Sequence, residues 1–256
     1  MLLGLKDKVV LCAGSATGIG AETALRLAEE GARVVIGDVN LAGAQAVIDK
    51  IQEGGGEGLA VEFDIAEPDS VRALVAKAVA RFGGLDGMHV NATDRKRNNE
   101  DFDLLTTELD VFDRVHTVSL RGHLLCAKAG LPEILKRGGG AIVFTSSDSG
   151  KSPANVRMSY GIAKAGLNAM MRHIAFRYGR DGIRANTVSP GVVFTDAMIR
   201  NTTPEERVQM TGKIPSTRPG APADIAGVVA FLLSDDARYI NGQAISVNGG
   251  ALMAVG

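Results

Sequence analysis

Seven short apolar runs rich in β-branched residues recur along the chain: VVLC at 9–12, VVIG at 34–37, LAVEF at 59–63, LDGMHV at 85–90, AIVFTS at 141–146, IRANTV at 183–188 and AISV at 244–247. Most are separated by segments of helical period. Strand and helix in alternation require right-handed crossovers, which lay the strands parallel and cover both sheet faces with helices. The expected architecture is a doubly wound α/β sheet in three layers, α/β/α.

No linker interrupts this alternation. The glycine-rich stretches at 54–58 and 138–140 are short, and each falls where a helix must stop before a strand. The chain is therefore expected to form one domain over 1–256. The segment FTDAMIRNTTPEERVQMTGKIPSTRP at 194–219 departs from the rhythm and is expected to act as a lid over substrate. The run DRKRNNED at 94–101 mixes signs and is expected to be a solvated loop leading into a helix.

With 45% hydrophobic and 22% charged residues the chain can fill a sizeable core, and its net charge of -1 gives no basic stripe or polybasic tail. Nucleic-acid and membrane partners are set aside in favour of a small molecule. The opening MLLGLKDKVV holds too short an apolar run for a signal peptide, and no stretch is long enough to cross a bilayer. Cys12 and Cys126 sit among apolar neighbours and read as small buried hydrophobes, which makes a reducing cytoplasm the default location. The histidines at 89, 116, 123 and 173 lack metal-ligand spacing, so no metal site is expected.

The first strand leads straight into AGSATGIGAETALRLAEEG, where Gly14, Gly18 and Gly20 open an amphipathic helix. Such a turn brings backbone N–H groups and the positive end of a helix dipole to a pyrophosphate, with Ser15, Thr17 and Ile19 carried in the same turn. No lysine follows, which excludes a P-loop. Asp38 ends the second strand, where a carboxylate accepts hydrogen bonds from ribose hydroxyls and repels a 2′-phosphate. Neither Ser15–Thr17 nor the residues just after Asp38 include Arg or Lys, so NAD is expected over NADP; capping of the next helix is the competing explanation of Asp38.

A third stretch, SYGIAKAG at 159–166, sets Tyr160 and Lys164 at the start of an apolar stripe through Ala163, Leu167, Met170, Met171, Ile174 and Tyr178. A free tyrosine has a pKa of about 10, too high for a base near neutrality, and a neighbouring ammonium favours the phenolate. Thr145-Ser146-Ser147 ends the fifth strand, at the edge where doubly wound sheets bind ligands, and offers a hydroxyl to a substrate oxygen.

Taken together these residues resemble the short-chain dehydrogenase/reductase family, with its Rossmann-type sheet. The likeness runs over nearly the whole chain: the glycine turn, Asp64 after strand three, Asn91-Ala92 after strand four, Ser147, Tyr160-x-x-x-Lys164, Pro190-Gly191 with Thr195, and the C-terminal Gly242 and VNGG. The resemblance implies a seven-stranded parallel sheet, a homotetramer and hydride exchange between a nicotinamide and a secondary alcohol or ketone. It implies that Ser147 polarises the substrate oxygen, Tyr160 transfers the proton, and Lys164 holds ribose hydroxyls and lowers the tyrosine pKa. Ile19, Asn91, Asp64, Ile65, Val193 and Thr195 would line the cofactor path.

Four positions depart from the family pattern: Ala13, Thr93, Asn248 and, nearest the chemistry, Ser119, which stands where an asparagine completes a tetrad. Phe112, Val115, Ser119, Gly122 and Cys126 share one helical stripe, so Ser119 is expected to face inward. The substrate pocket is expected to draw on Ser147, Thr93, Asp94, Ser149, Asn155, Val192, Phe194 and Met198. The leading expectation is an NAD-dependent alcohol oxidoreductase; an NADP-dependent carbonyl or 3-oxoacyl reductase and a non-catalytic nucleotide-binding relative are the alternatives.

Overall fold

The computed structural model describes residues 4–212 and 214–253. Residues 1–3, on which part of the signal-peptide reading falls, lie outside the described residues, as does residue 213 in the expected lid. Each of the seven apolar runs forms a strand: β1 Val9–Ala13, β2 Arg33–Asp38, β3 Gly58–Glu62, β4 Gly87–Val90, β5 Gly140–Thr145, β6 Ile183–Pro190 and β7 Ala244–Val247. All neighbours pair in parallel, in the order β3-β2-β1-β4-β5-β6-β7.

Period-two alternation splits each central strand between two cores. In β1, Val9, Leu11 and Ala13 face one side and Val10 and Cys12 the other. The first core takes Val71 and Leu74 from α3 (Pro68–Phe82), Leu131 and Ile134 from α6 (Gly122–Lys136), and Leu167 and Met171 from α7 (Met158–Tyr178). The second takes Ala24 and Leu27 from α1 (Gly18–Glu29), Ile48 and Ile51 from α2 (Leu41–Glu53), and Val229 and Ala230 from α10 (Pro222–Leu233). Burial on both faces is why the strands read as unbroken apolar runs. Cys12 and Cys126 are buried free thiols, one in each core.

Three segments differ from their expected form. The run at 94–101 contains α4 (Arg95–Asn99), because the Asp94 side chain accepts the Arg97 N–H at 3.2 Å and caps a short helix. Segment 194–219 folds into α8 (Asp196–Arg200) and α9 (Pro204–Thr211), α9 started by a Thr203/Glu206 capping box. Between α5 (Leu109–His116) and α6 the chain makes a π-helical turn, Thr117–Arg121, which carries Ser119 inward to full burial. No helix among the described residues is long and apolar enough to cross a membrane.

Leu74 is 1% exposed and packs α3 against Gly37 of β2. Truncation there opens a cavity that a parallel sheet cannot close, so Leu74→Ala should lower unfolding stability by about 2–5 kcal/mol in urea titration. A loss below about 1 kcal/mol would show that this interface relaxes freely.

Candidate active site

The strand order reverses beside β1, with β2 on one side and β4 on the other, and the loops leaving β1 and β4 part. A cleft of about 1190 Å³ opens there. Its floor is the glycine turn, where Gly14 and Gly18 adopt φ of 79° and 58°. A side chain at Gly14 would collide with the Ala92 backbone, so only glycine lets the first turn pass the loop after β4.

That turn is pinned from two sides. Asn91 donates its Nδ2 to the Gly14 carbonyl at 2.8 Å, and the Ala16 N–H donates to Asp38 Oδ2 at 2.9 Å. Asp38 Oδ1 accepts the Asn40 N–H, while Asn40 itself caps α2 by accepting the Gly43 N–H. Capping therefore does not account for Asp38, which closes the turn. Thr17, the N-cap of α1, makes no side-chain cap bond, and the first turn of the helix carries no acidic residue. The backbone N–H groups at the start of α1 are thus left open to an anion, and the site fits a dinucleotide pyrophosphate.

Gly14, Thr17, Gly18, Ile19, Asp38 and Asp64 line the cleft, followed around its wall by Ile65, Asn91, Ala92, Pro190, Gly191, Val193 and Thr195. Ser15 and Gly20 lie beneath the floor: Ser15 is fully buried with its Oγ unpartnered, and a side chain at Gly20 would strike Ser15 and the Gly14 carbonyl. Of the residues expected to touch substrate, Ser147, Thr93, Asp94, Ser149, Val192 and Met198 are on the wall. Asn155 and Phe194 are not. Asn155 is exposed in a loop whose neighbours Ala154 and Val156 take the wall, and half-buried Phe194 follows Val193, which points inward.

Ser147, Tyr160 and Lys164 converge. Ser147, just past β5, accepts the Ser149 N–H at 3.2 Å, which starts a short 3-10 turn and fixes its hydroxyl against the Tyr160 phenol. Lys164 is 1% exposed, donates its Nζ to the Thr145 carbonyl at 2.7 Å, and lies 5.4 Å from the Tyr160 ring centroid. Burial pulls its ammonium down to about 7. Burial also pushes the Tyr160 phenol up, against opposing pulls from the Ser147 hydrogen bond and the Arg157 charge. The expected lowering of the tyrosine by Lys164 is thus overridden in the chain by itself, because desolvation of a phenolate outweighs its neighbours. Such a group is a protonated acid poised beside a hydroxyl donor.

Several participants were invisible as motifs. Buried His89 and His123 sit behind the pair: His89 Nε2 and Thr145 Oγ1 share a hydrogen bond of 2.9 Å, and His123 Nε2 donates to the Ala92 carbonyl at 3.0 Å. Burial takes His89 down to about 3, and burial together with the Lys164 charge holds His123 well below its usual value, so both imidazoles are neutral. Asp101 is 1% exposed and caps α7 from outside, accepting the Ser159 N–H and Oγ–H at 3.1 and 2.8 Å and the Tyr160 N–H at 2.8 Å. An acidic residue with a bulky neighbour, 58 positions upstream, carries no local sequence signal.

Two departures from the family pattern, Thr93 and Asn248, find side-chain partners here. Thr93 accepts Asn98 Nδ2 at 2.8 Å, tying α4 to the loop after β4. Asn248 donates to Asp148 Oδ2 at 2.7 Å, where an aspartate would set two carboxylates against each other. Ser119 faces inward as its stripe implies, fully buried and off the cleft wall, with its Oγ unpartnered.

A family model described as enoyl-(acyl carrier protein) reductase matches residues 13–251. The chain is 38% identical over 250 residues to a probable short-chain type dehydrogenase/reductase of Bradyrhizobium diazoefficiens, covering 98% of this chain and 89% of that one. It is 36% identical over 249 residues to an L-rhamnose 1-dehydrogenase (NAD(P)(+)) of Sphingomonas sp., with 96% of each covered. Its fold superposes on a 7α-hydroxysteroid dehydrogenase complexed with NADH and 7-oxo glycochenodeoxycholic acid, with a TM-score of 0.91 and 31% identity over 99% of this chain and 97% of that chain.

Because Lys164 is held near 7 against an ordinary 10.5, the unfolded chain binds more protons than the folded one across that window. Its contribution to stability therefore rises with pH from 7 to 10.5, and below 7 the full cost of a buried ammonium is present. Lys164→Met removes that cost, so the variant's melting temperature relative to the parent should be highest near pH 6 and decline toward pH 10. A difference that stays level with pH would refute the buried-charge reading.

Proposed function

This chain belongs to the short-chain dehydrogenase/reductase family, and from that premise we propose that it is an oxidoreductase interconverting a secondary alcohol and a ketone with NAD. The observation that carries the reading is the meeting of Ser147, Tyr160 and Lys164 in one cleft whose floor is the glycine turn. When bound, the nicotinamide supplies the acceptor or donor of hydride. The chain's own residues do the rest. The glycine turn, Ile19, Asn91, Val193 and Thr195 would hold the cofactor, with Asp64 and Ile65 at the adenine and Lys164 on ribose hydroxyls.

In the direction of reduction, Ser147 donates a hydrogen bond to the ketone oxygen, and Tyr160 gives it a proton from a phenol that burial keeps protonated. In the direction of oxidation the same oxygen of Tyr160 receives the alcohol proton, and the positive charges of Lys164 and Arg157 favour the phenolate that does so. Ser119 is read as a positioning residue on the lysine side, its burial supporting that place. Segment 194–219 serves as the lid, since Met198 of α8 and Met210 of α9 already reach the cleft wall. One domain over 1–256 and assembly as a homotetramer complete the reading, the latter supported by exposed Leu104, Leu105 and Leu109.

The choice of NAD is supported by Asp38, which lines the cleft at the end of β2 and is fixed there by two backbone donors. A 2′-phosphate placed against it would meet a like charge.

Tyr160→Phe should lower turnover of a responsive alcohol by about 10²–10⁴-fold while nucleotide still binds, and should abolish the rise of oxidation with pH expected of the parent. Unchanged turnover in this variant would remove the acid/base role. Titration of the parent should give an affinity for NAD at least about tenfold above that for NADP, a difference of roughly 1.4 kcal/mol, narrowed in Asp38→Ser. Equal affinities in the parent would overturn the NAD assignment.

A further inference from the structure

Arg95, Arg114 and Arg157 put guanidinium groups on the wall of the cleft. Arg114 is satisfied there, since its Nε donates to Asp94 Oδ2 at 3.0 Å. Arg95 and Arg157 are different. Among the described residues no carboxylate lies within ion-pair distance of either, although Arg97 on the same short helix pairs with both Glu100 and Asp110. Among the described residues the one side chain that hydrogen-bonds the Arg157 guanidinium is neutral, the Asn99 Oδ1 at 3.4 Å.

The position of Arg157 is unusual for its residue type. Its backbone lies in the left-handed region, with φ 66° and ψ 43°, immediately before α7. Glycine or asparagine adopts that conformation at less cost than arginine. The backbone bonds of the turn, Arg157 N–H to the Asp101 carbonyl and Gly161 N–H to the Arg157 carbonyl, need no side chain at all. An outlier of this kind beside a candidate site points to use of the side chain.

What it can be used for follows from its neighbours. Arg95 and Asn99 are four apart on α4 and share a helix face, and the Arg157 guanidinium touches Asn99, so the amide stands between two unneutralised cations. All three line the cleft. The Arg157 charge also reaches the Tyr160 phenol, which puts this group of donors at the substrate end. Asp38 ends β2 and Asp64 follows β3, both on the far side of β1, and Asp94 is taken up by Arg114. Asp148, nearer by, is engaged by Asn248.

We propose that Arg95, Asn99 and Arg157 form an oxyanion-binding subsite, and that the alcohol or ketone handled by this chain carries a carboxylate or phosphate group bound there. Guanidinium donors on a cleft wall recognise such oxyanions through charge-assisted hydrogen bonds, and set apart from the reacting oxygen they fix orientation as well as affinity. This inference rests on the proposed alcohol/ketone chemistry at Tyr160.

The test uses matched pairs of substrates that differ only in the acidic group, such as 1-phenylethanol beside 4-(1-hydroxyethyl)benzoate and its phosphate-bearing counterpart. The parent should prefer the acidic member in kcat/KM by about tenfold to a hundredfold, the effect of one charge-assisted hydrogen bond, with the phosphate and carboxylate arms telling which oxyanion fits. That preference should fall as salt rises. It should collapse in Arg157→Gly combined with Arg95→Gln, chiefly through KM of the acidic member. Arg157→Gly suits the left-handed backbone, so melting temperature should not drop, and misfolding cannot mimic the result. Equal use of acidic and neutral members by the parent, or an acidic-to-neutral ratio of kcat/KM unchanged in the double variant, would overturn the subsite; a loss common to both members is the effect of the Arg157 charge on Tyr160. If no pair is turned over, the alcohol/ketone reading itself fails, and calorimetry of 4-acetylbenzoate against acetophenone on parent and double variant still decides whether the arginines bind oxyanions.

Discussion

Crossovers between parallel strands turn one way only, and the break beside β1 is the consequence of that constraint. The chain must lay β2 and β3 to one side of β1 and β4 to β7 to the other, so the loops after β1 and β4 separate. Much of the site hangs on strand ends that face this gap, the glycine turn after β1, Asp38 on β2, Asn91 after β4, Ser147 after β5 and Pro190 on β6, while α7 brings Tyr160 and Lys164 up to them. Bonds across the gap then set its width. Asn91 holds the Gly14 carbonyl, and Ala92 packs where a side chain on Gly14 would be.

Beneath the cleft lies a basic cluster whose two histidines burial keeps uncharged. His89 and His123 are neutral, which leaves Lys164 as the one basic group there that can carry charge near neutral pH. Were either imidazole protonated, a second cation would stand against the ammonium in a poorly solvated space. Neutral histidines therefore leave the lysine's charge directed at the phenol and at whatever lies beside it.

The fold was legible because a parallel sheet buried on both faces writes itself as apolar runs at regular intervals, and each run became a strand within a residue or two of its expected ends. The glycine turn and the Tyr160–Lys164 pair stood out because the spacing of each is local to one turn or one helix face, whereas Ser147 was reached only through the strand end it follows. What remained hidden acts over long separations. Asp101 reaches α7 across 58 positions, and Asp148 meets Asn248 across 100. The stretch DRKRNNED misled for a different reason: its polarity matched a solvated loop, yet Asp94 and Asn98 form side-chain bonds that fold it into a wall of the cleft. Asn155 and Phe194 were placed by proximity in sequence alone, and their neighbours Ala154, Val156 and Val193 line the cleft instead.

The first turn of a long helix ordinarily frays, because its N–H groups have no partners within the helix. In α7 the Met158, Ser159 and Tyr160 N–H groups all end on residues 101 and 102, two of them on the one carboxylate of Asp101. The start of the helix cannot unwind without releasing the connection between α4 and α5, which Thr107 ties to the same carboxylate. Helix start and connection thus open and close as one cooperative unit, and the amide hydrogens flanking the tyrosine exchange at a rate set by that joint opening rather than by fraying of an end.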